Sequence, residues 1–132
     1  MNEKITVLIS DDNNEFATTL ANYLEKDEAM QVVGMAKDGE EALSIISTLK
    51  PDVVLLDVIM PHLDGLGVLE RLNSMRLEKR PICIMLSAVG QDKITQKAIT
   101  LGAQYYVVKP FDIEVLIKRI KELKYYQPST NR

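Results

Sequence analysis

Short apolar runs alternate with longer segments of helical period along nearly the whole chain. The runs Ile5 to Ile9, Val32 to Ala36, Val53 to Leu56, Ile82 to Leu86 and Tyr105 to Val108 are rich in β-branched or aromatic residues and are bounded by turn residues or charges, so each predicts a strand. Between them the apolar positions recur every three or four residues. Phe16, Leu20, Tyr23 and Leu24 form the first stripe. Ala42, Leu43, Ile46 and Leu49 form the second, opened by the capping pair Asp38 and Glu41 and stopped by Pro51. A third helix is predicted from about Asp64 through Leu66, Leu69 and Leu72, and a fourth from about Gln91 through Ile94, Ala98 and Leu101 to a C-cap at Gly102. The fifth carries Ile113, Leu116, Ile117, Ile120 and Leu123. Strict alternation of strands and helices predicts an α/β fold with right-handed crossovers and a parallel sheet covered on both faces.

Of the five runs, Val53 to Leu56 has the continuous apolar character of a strand buried on both faces. It leads straight into Asp57, with Met60-Pro61 close behind. An acid therefore stands where a buried strand opens, and in doubly wound sheets ligands bind outside the carboxyl ends of the strands. The other strands end in comparable fashion: the first at Ser10-Asp11-Asp12-Asn13-Asn14, the fourth at Ser87, the fifth at Lys109-Pro110. Taken singly, each has a plain structural role. Asp11, Asp12 and Asn13 can cap the first helix, Ser87 the fourth, and Lys109 can be a solvated lysine. Three acids, a hydroxyl and a lysine gathered at one edge of one sheet point instead to a site.

Composition narrows the class. A chain of 132 residues with 46% hydrophobic content supports one packed core, so residues 1–126 are expected to form one domain. The segment 127–132 lacks stripe and strand pattern and reads as a linker-like tail, leading to a further domain. No apolar run reaches the roughly 18 residues of a membrane span, and the N-terminus lacks the form of a signal peptide; a cytoplasmic location is expected. The single Cys83, within an apolar run, suits a buried reduced thiol. Net charge is −3, with no Trp and no dense basic run, which argues against nucleic-acid binding by this chain itself.

The chemistry of the clustered groups is specific. Hard carboxylate oxygens suit Mg2+, or a related divalent cation such as Mn2+ or Ca2+, and the lack of a Cys/His cluster argues against zinc. Carboxylates about 5 Å apart repel by roughly 3 kcal/mol per pair at an effective dielectric near 20. Asp11, Asp12 and Asp57 supply three negative charges, which Mg2+ and Lys109 together balance. If Asp57 acts as a nucleophile and takes a phosphoryl group, its charge becomes about −1.5 to −2, and the new oxygens need the metal, Lys109 and the Ser87 hydroxyl as partners.

Asp11-Asp12, Asp57 with Met60-Pro61 and Asp64-Gly65, Ser87-Ala88, and Lys109-Pro110-Phe111 together resemble the marks of a response-regulator receiver domain, the phosphoacceptor module of two-component signalling. The resemblance spans residues about 4 to 124 on this reading of strands and helices. It implies a flavodoxin-like five-stranded parallel sheet in the order 2-1-3-4-5 with five helices. It further implies Asp57 as phosphoacceptor and a metal held by Asp11, Asp12, Asp57 and the backbone carbonyl of Ile59. Lys109 and Ser87 would contact the phosphoryl oxygens, Tyr106 would follow Ser87 as the switch aromatic, and Lys109-Pro110 would be cis. The partner it implies is a histidine kinase or histidine phosphotransferase, with self-association on phosphorylation. More narrowly, residues 59 to 70 are similar to the receiver half of the stage-zero master regulator of sporulation in endospore-forming bacteria. That implies a DNA-binding output domain and a transcriptional role. Two residues depart from the family pattern: Ser10 stands where an apolar residue is usual, and Ser87 where Thr is commoner.

Rival chemistries fit less well. A phosphatase or phosphotransferase of the haloacid-dehalogenase type, which also forms an aspartyl phosphate with Mg2+, resembles Asp-x-Asp at the strand end, whereas Ile59 is the residue two after Asp57. A flavin-binding flavodoxin needs a Gly- and hydroxyl-rich loop where Asp11-Asp12 stands. A pure interaction domain should have lost the lysine or one acid. The resemblance to receivers also implies that the side chains two residues beyond the phosphoacceptor and two beyond the hydroxyl flank the approach of water; here these are the branched, apolar Ile59 and Val89, which predict slow self-dephosphorylation. His62 reads as a loop residue, Met30, Met35, Met60, Met75 and Met85 as core or loop fillers, and Lys118, Arg119, Lys121 and Lys124 as a solvated face suited to the helix dipole. Tyr125 and Tyr126 are left open between disorder and an interface.

Overall fold

The computed structural model describes residues 3–88 and 90–125. The elements, in order, are β1 (Ile5–Ser10), α1 (Asn14–Glu25), β2 (Met30–Ala36), α2 (Gly39–Leu49), β3 (Val53–Leu56), α3 (Gly65–Ser74), β4 (Ile82–Ser87), α4 (Asp92–Thr100), β5 (Tyr105–Val108) and α5 (Ile113–Tyr125). The five strands form one sheet in the order β2-β1-β3-β4-β5, and every neighbouring pair is parallel. This is the predicted flavodoxin-like topology. The chain reverses its direction of winding after β2, which leaves a crevice at the carboxyl ends of β1 and β3.

Side-chain alternation divides the core in two. Val53 and Leu55 join Ile5, Val7, Ile9, Ile82, Ile84 and Leu86 beneath α1 and α5. Val54 and Leu56 join Leu8, Cys83 and Met85 beneath α2, α3 and α4. All four residues of β3 are buried, so a period-2 strand serves both layers with apolar side chains, as its continuous apolar run predicts.

Helix ends follow their capping chemistry. Asn13 Oδ1 accepts from the Phe16 N–H, Asp38 Oδ1 from Glu41, and Asp64 Oδ1 from Gly67. Glu41 completes a shifted capping box by accepting from the Lys37 N–H. α4 is different: its N-cap Gln91 makes no side-chain cap bond, and Ala98 is its only buried residue among those described. Its C-terminus is secured. Gly102, at φ 109°, donates to Ile99 O, and Ala103 donates to Ala98 O, while Leu101 O accepts from both Arg80 and Asn73.

Several expectations need correction. β2 begins at Met30 rather than Val32, because Ile5 to Val7 pair with Met30 to Val32 before a bulge shifts the register. Leu49 is exposed rather than part of the α2 stripe; the helix ends there because Lys50, preceding Pro51, leaves the helical region at φ 50°. In α3 the buried positions are Gly65, Val68, Leu69 and Leu72, with Leu66 only partly covered. The basic residues of α5 are not simply solvated: Lys121 pairs with Asp27, Lys124 with Asp52, and Arg119 with Glu122. Met35 is surface-exposed, whereas Met30, Met60 and Met85 are core. Cys83 is buried and unbridged, and burial pushes its thiol up to about 11. Val89, Tyr126 and the 127–132 segment lie outside the described residues.

Candidate functional site

Each polar group at the sheet edge is delivered by a neighbouring strand. β1 ends at the buried Ser10 and passes directly into Asp11 and Asp12; Asp57 follows β3, and its N–H donates to Ser10 O (2.9 Å). β4 ends at the buried Ser87, whose carbonyl accepts from the Lys109 N–H (2.8 Å). Backbone pairing between adjacent strands thus holds all four loops in register before any side chain is considered.

The side chains then converge. Carboxylate oxygens of Asp11, Asp12 and Asp57 lie within 4.8 Å of one another. Lys109 Nζ donates to Asp11 Oδ2 at 2.8 Å and to Asp57 Oδ2 at 3.2 Å, while Asp57 Oδ1 accepts from the Ile59 N–H at 3.2 Å. Asp11 Oδ1 is occupied by the Asn13 N–H (2.9 Å), which orients that carboxylate and leads the chain into the Asn13 cap of α1. One lysine faces three acids, so the cluster is short of positive charge. Burial, and next the Asp11 charge, hold the Asp57 carboxyl above the usual carboxylate range; Lys109 offsets them only in part. For Lys109, burial opposes the charged form, but the bond to Asp11 and the charges of both acids outweigh it and raise its pKa. Convergent hard oxygens with a charge deficit fit a small divalent cation, and the residues that could hold it are Asp11, Asp12 and Asp57.

Glycines let the backbone close around this site. A side chain at Gly65 would meet Asp57 O at 2.2 Å, so only glycine lets the start of α3 pack on the aspartate's carbonyl. Gly65 N–H also donates to Val58 O (2.8 Å). Between these points His62 sits at φ 68° in a three-residue turn closed by Leu63 N–H to Pro61 O, a loop role consistent with its assignment.

The chain matches the model of the response regulator receiver domain over residues 7–121. It belongs to that family. This receiver domain superposes on the signal receiver domain of the putative response regulator NarL from Mycobacterium tuberculosis with a TM-score of 0.86, at 30% identity and covering 92% of this chain and 97% of that one. The response regulator domain of Thermotoga maritima CheB gives 0.85 at 29% identity, covering 96% and 100%. The CheX–CheY–BeF3–Mg2+ complex from Borrelia burgdorferi gives 0.80 at 30% identity, covering 92% and 90%.

The remaining predicted residues of the receiver fall as follows. Ser87 is buried at the end of β4, whereas the N-cap position of α4 is Gln91, so Ser87 is not the capping residue of that helix. Strand register puts Ser87 opposite Val108 and Met85 opposite Tyr106, so Ser87 and Tyr106 share the face covered by α4. Lys109-Pro110 is cis. Ile59 is 62% exposed beside the acids. Three features went unread in the sequence. Ser10, the departure from family pattern, donates its hydroxyl to the Met60 sulfur (3.2 Å), which gives a buried polar atom a partner. Phe16, read only as a stripe residue, lies beneath Lys109 Nζ. Asp52, at the other end of β3, holds its own cluster of bonds. Among the described residues no helix is long and apolar enough to cross a membrane.

Proposed function

We propose that Asp57 is the phosphoacceptor of this receiver. The supporting observation is the bridging of Asp57 and Asp11 by Lys109 within a cluster of three carboxylates. An Asp57 oxygen attacks the phosphorus of a phosphohistidine on a histidine kinase or phosphotransferase. The P–O bond forms as the P–N bond breaks, and the imidazole leaves with its electron pair and takes a proton. Asp11, Asp12, Asp57 and the Ile59 carbonyl would hold Mg2+, which would supply positive charge against the transferring group. Lys109 and the Ser87 hydroxyl take the remaining oxygens. The BeF3 and Mg2+ named for the Borrelia complex belong to that protein, and they support the same assignment here.

Phosphorylation then biases a two-state surface. Drawing Ser87 toward the new oxygens frees space for Tyr106 on the same face and shifts α4, whose N-terminal end lacks a side-chain cap while its C-terminal end is tied to Arg80 and Asn73. The output is self-association and, as the resemblance of residues 59 to 70 implies, transcriptional control through a DNA-binding domain. The resemblance of residues 59 to 70 supports initiation of sporulation as the process controlled.

Mass spectrometry after incubation with acetyl phosphate and Mg2+ tests the assignment. One added phosphoryl group, lost on Asp57→Asn and requiring Mg2+, is expected; phosphorylation undiminished in Asp57→Asn overturns it. Ser87→Ala should still be phosphorylated but should not associate in response. For the process, sporulation in the source bacterium should fail with Asp57→Asn; normal spore yield would contradict that output.

A further inference from the structure

We infer that Phe16 is a positioning residue for Lys109, holding its ammonium between the two carboxylates by the face of the ring. The inference rests on the proposed phosphoacceptor role of Asp57. An ammonium has three N–H donors and no acceptor. Two are used by Asp11 Oδ2 and Asp57 Oδ2, and the Phe16 ring centroid lies 4.1 Å from Nζ, well within cation–π range. The Phe16 ring face thus lies against the ammonium beside its two carboxylate partners. The ring is itself fixed from two directions. Its backbone N–H is held by the Asn13 cap at 3.0 Å, and the Phe111 ring stands edge-on to it at 6.2 Å and 84°. Aliphatic packing alone needs none of this geometry, and Phe16 is only partly buried.

The π face suits the chemistry. When Asp57 takes a phosphoryl group, Nζ must turn from a carboxylate oxygen toward a phosphoryl oxygen. A π face attracts charge without a directional lone pair, so the ammonium can rotate over it and keep the contact. A hydrogen-bond acceptor at that position would have to be broken or would hold Nζ back.

Phe16→Leu keeps apolar bulk and removes the ring, whereas Phe16→Tyr keeps the ring. With the full chain, saturating Mg2+ and acetyl phosphate, the initial phosphorylation rate should fall about three- to tenfold in Phe16→Leu, the scale of a partly desolvated cation–π contact, and return in Phe16→Tyr. In NMR spectra taken without phosphodonor, the Lys109 ε-methylene protons should show a ring-current upfield shift that persists in Phe16→Tyr and vanishes in Phe16→Leu. An unchanged rate in Phe16→Leu, or an equal loss in both variants, overturns the inference, as does an unchanged ε-methylene shift in Phe16→Leu. If the wild type accepts no phosphoryl group, the phosphoacceptor reading fails, and the NMR comparison by itself still decides whether Phe16 positions Lys109.

Discussion

Asp52 and Asp57 bracket the same four-residue strand, β3, yet the fold treats them oppositely. Asp52, at the amino end, accepts from the Thr6 N–H (2.9 Å) and hydroxyl (3.1 Å) through one oxygen, and from Lys79 (2.5 Å) and Lys124 (3.3 Å) through the other. Despite burial, these partners lower its carboxyl to about 2. Asp57, at the carboxyl end, shares one lysine with Asp11 and stands near Asp12, and its carboxyl is raised. The larger hollow, about 1080 Å³, is at the Asp52 end, whereas the depression bordered by Asp11 and Asp12 is about 290 Å³. Size does not choose the site; unbalanced charge does. A carboxylate with every partner supplied has nothing to gain from a ligand, while one short of positive charge is poised for a cation and for chemistry that alters its charge.

Removing Asp52 should have the largest effect. Lys79 is 56% exposed and its ion pair contributes little, so the cost comes chiefly from the orphaned Thr6 N–H. Asp52→Ala should lose about 2 kcal/mol in denaturant unfolding and Asp52→Asn, which keeps an acceptor, about half that. The sign with pH follows from the lowered pKa. Asp52 contributes fully above the ordinary carboxyl value near 3.8 and loses that contribution as pH falls toward about 2, so Asp52→Asn should flatten acid unfolding in that window.

At the other end the response should invert. Millimolar Mg2+ should raise the wild-type unfolding midpoint by a few degrees through native-state binding, less in Asp11→Asn and undiminished in Asp52→Asn. A midpoint indifferent to Mg2+ would break the comparison. Without metal, Asp57→Asn should gain up to about 1 kcal/mol by removing one of three crowded charges. The smallest effect concerns water at this end. Ile59→Asn or Glu should shorten the phosphorylated lifetime about threefold by supplying a group that orients water, read as decay in Mg2+ buffer; an unchanged lifetime removes Ile59 as the shield.

Strand and helix count and the gathering of Asp11, Asp12, Asp57, Ser87 and Lys109 at one edge were legible because they depend on where apolar runs stop, whereas the sheet order followed only from the resemblance to receivers. Partners far apart in sequence were not. Thr6 and Asp52 are 46 residues apart, and nothing in either local pattern marks them as partners. Lys121 and Lys124 looked solvated because helical period says which face a residue occupies and not which loop reaches it. Phe16 satisfied the apolar stripe and so concealed its contact with Lys109, and Ser10 looked anomalous until the Met60 sulfur was seen beside it. Leu49 followed the α2 period but is the last residue of its helix, where nothing packs over it closely enough to bury it.

The contrast between the ends of β3 is tested most directly by titrating both carboxyl groups in one metal-free sample, following the side-chain carbon of each aspartate by 13C NMR. The account predicts that Asp52 titrates near 2 and Asp57 above the usual carboxylate range, the latter moving down when Mg2+ is added. Asp57 titrating at or below the ordinary value without metal, or unmoved by Mg2+, would contradict it.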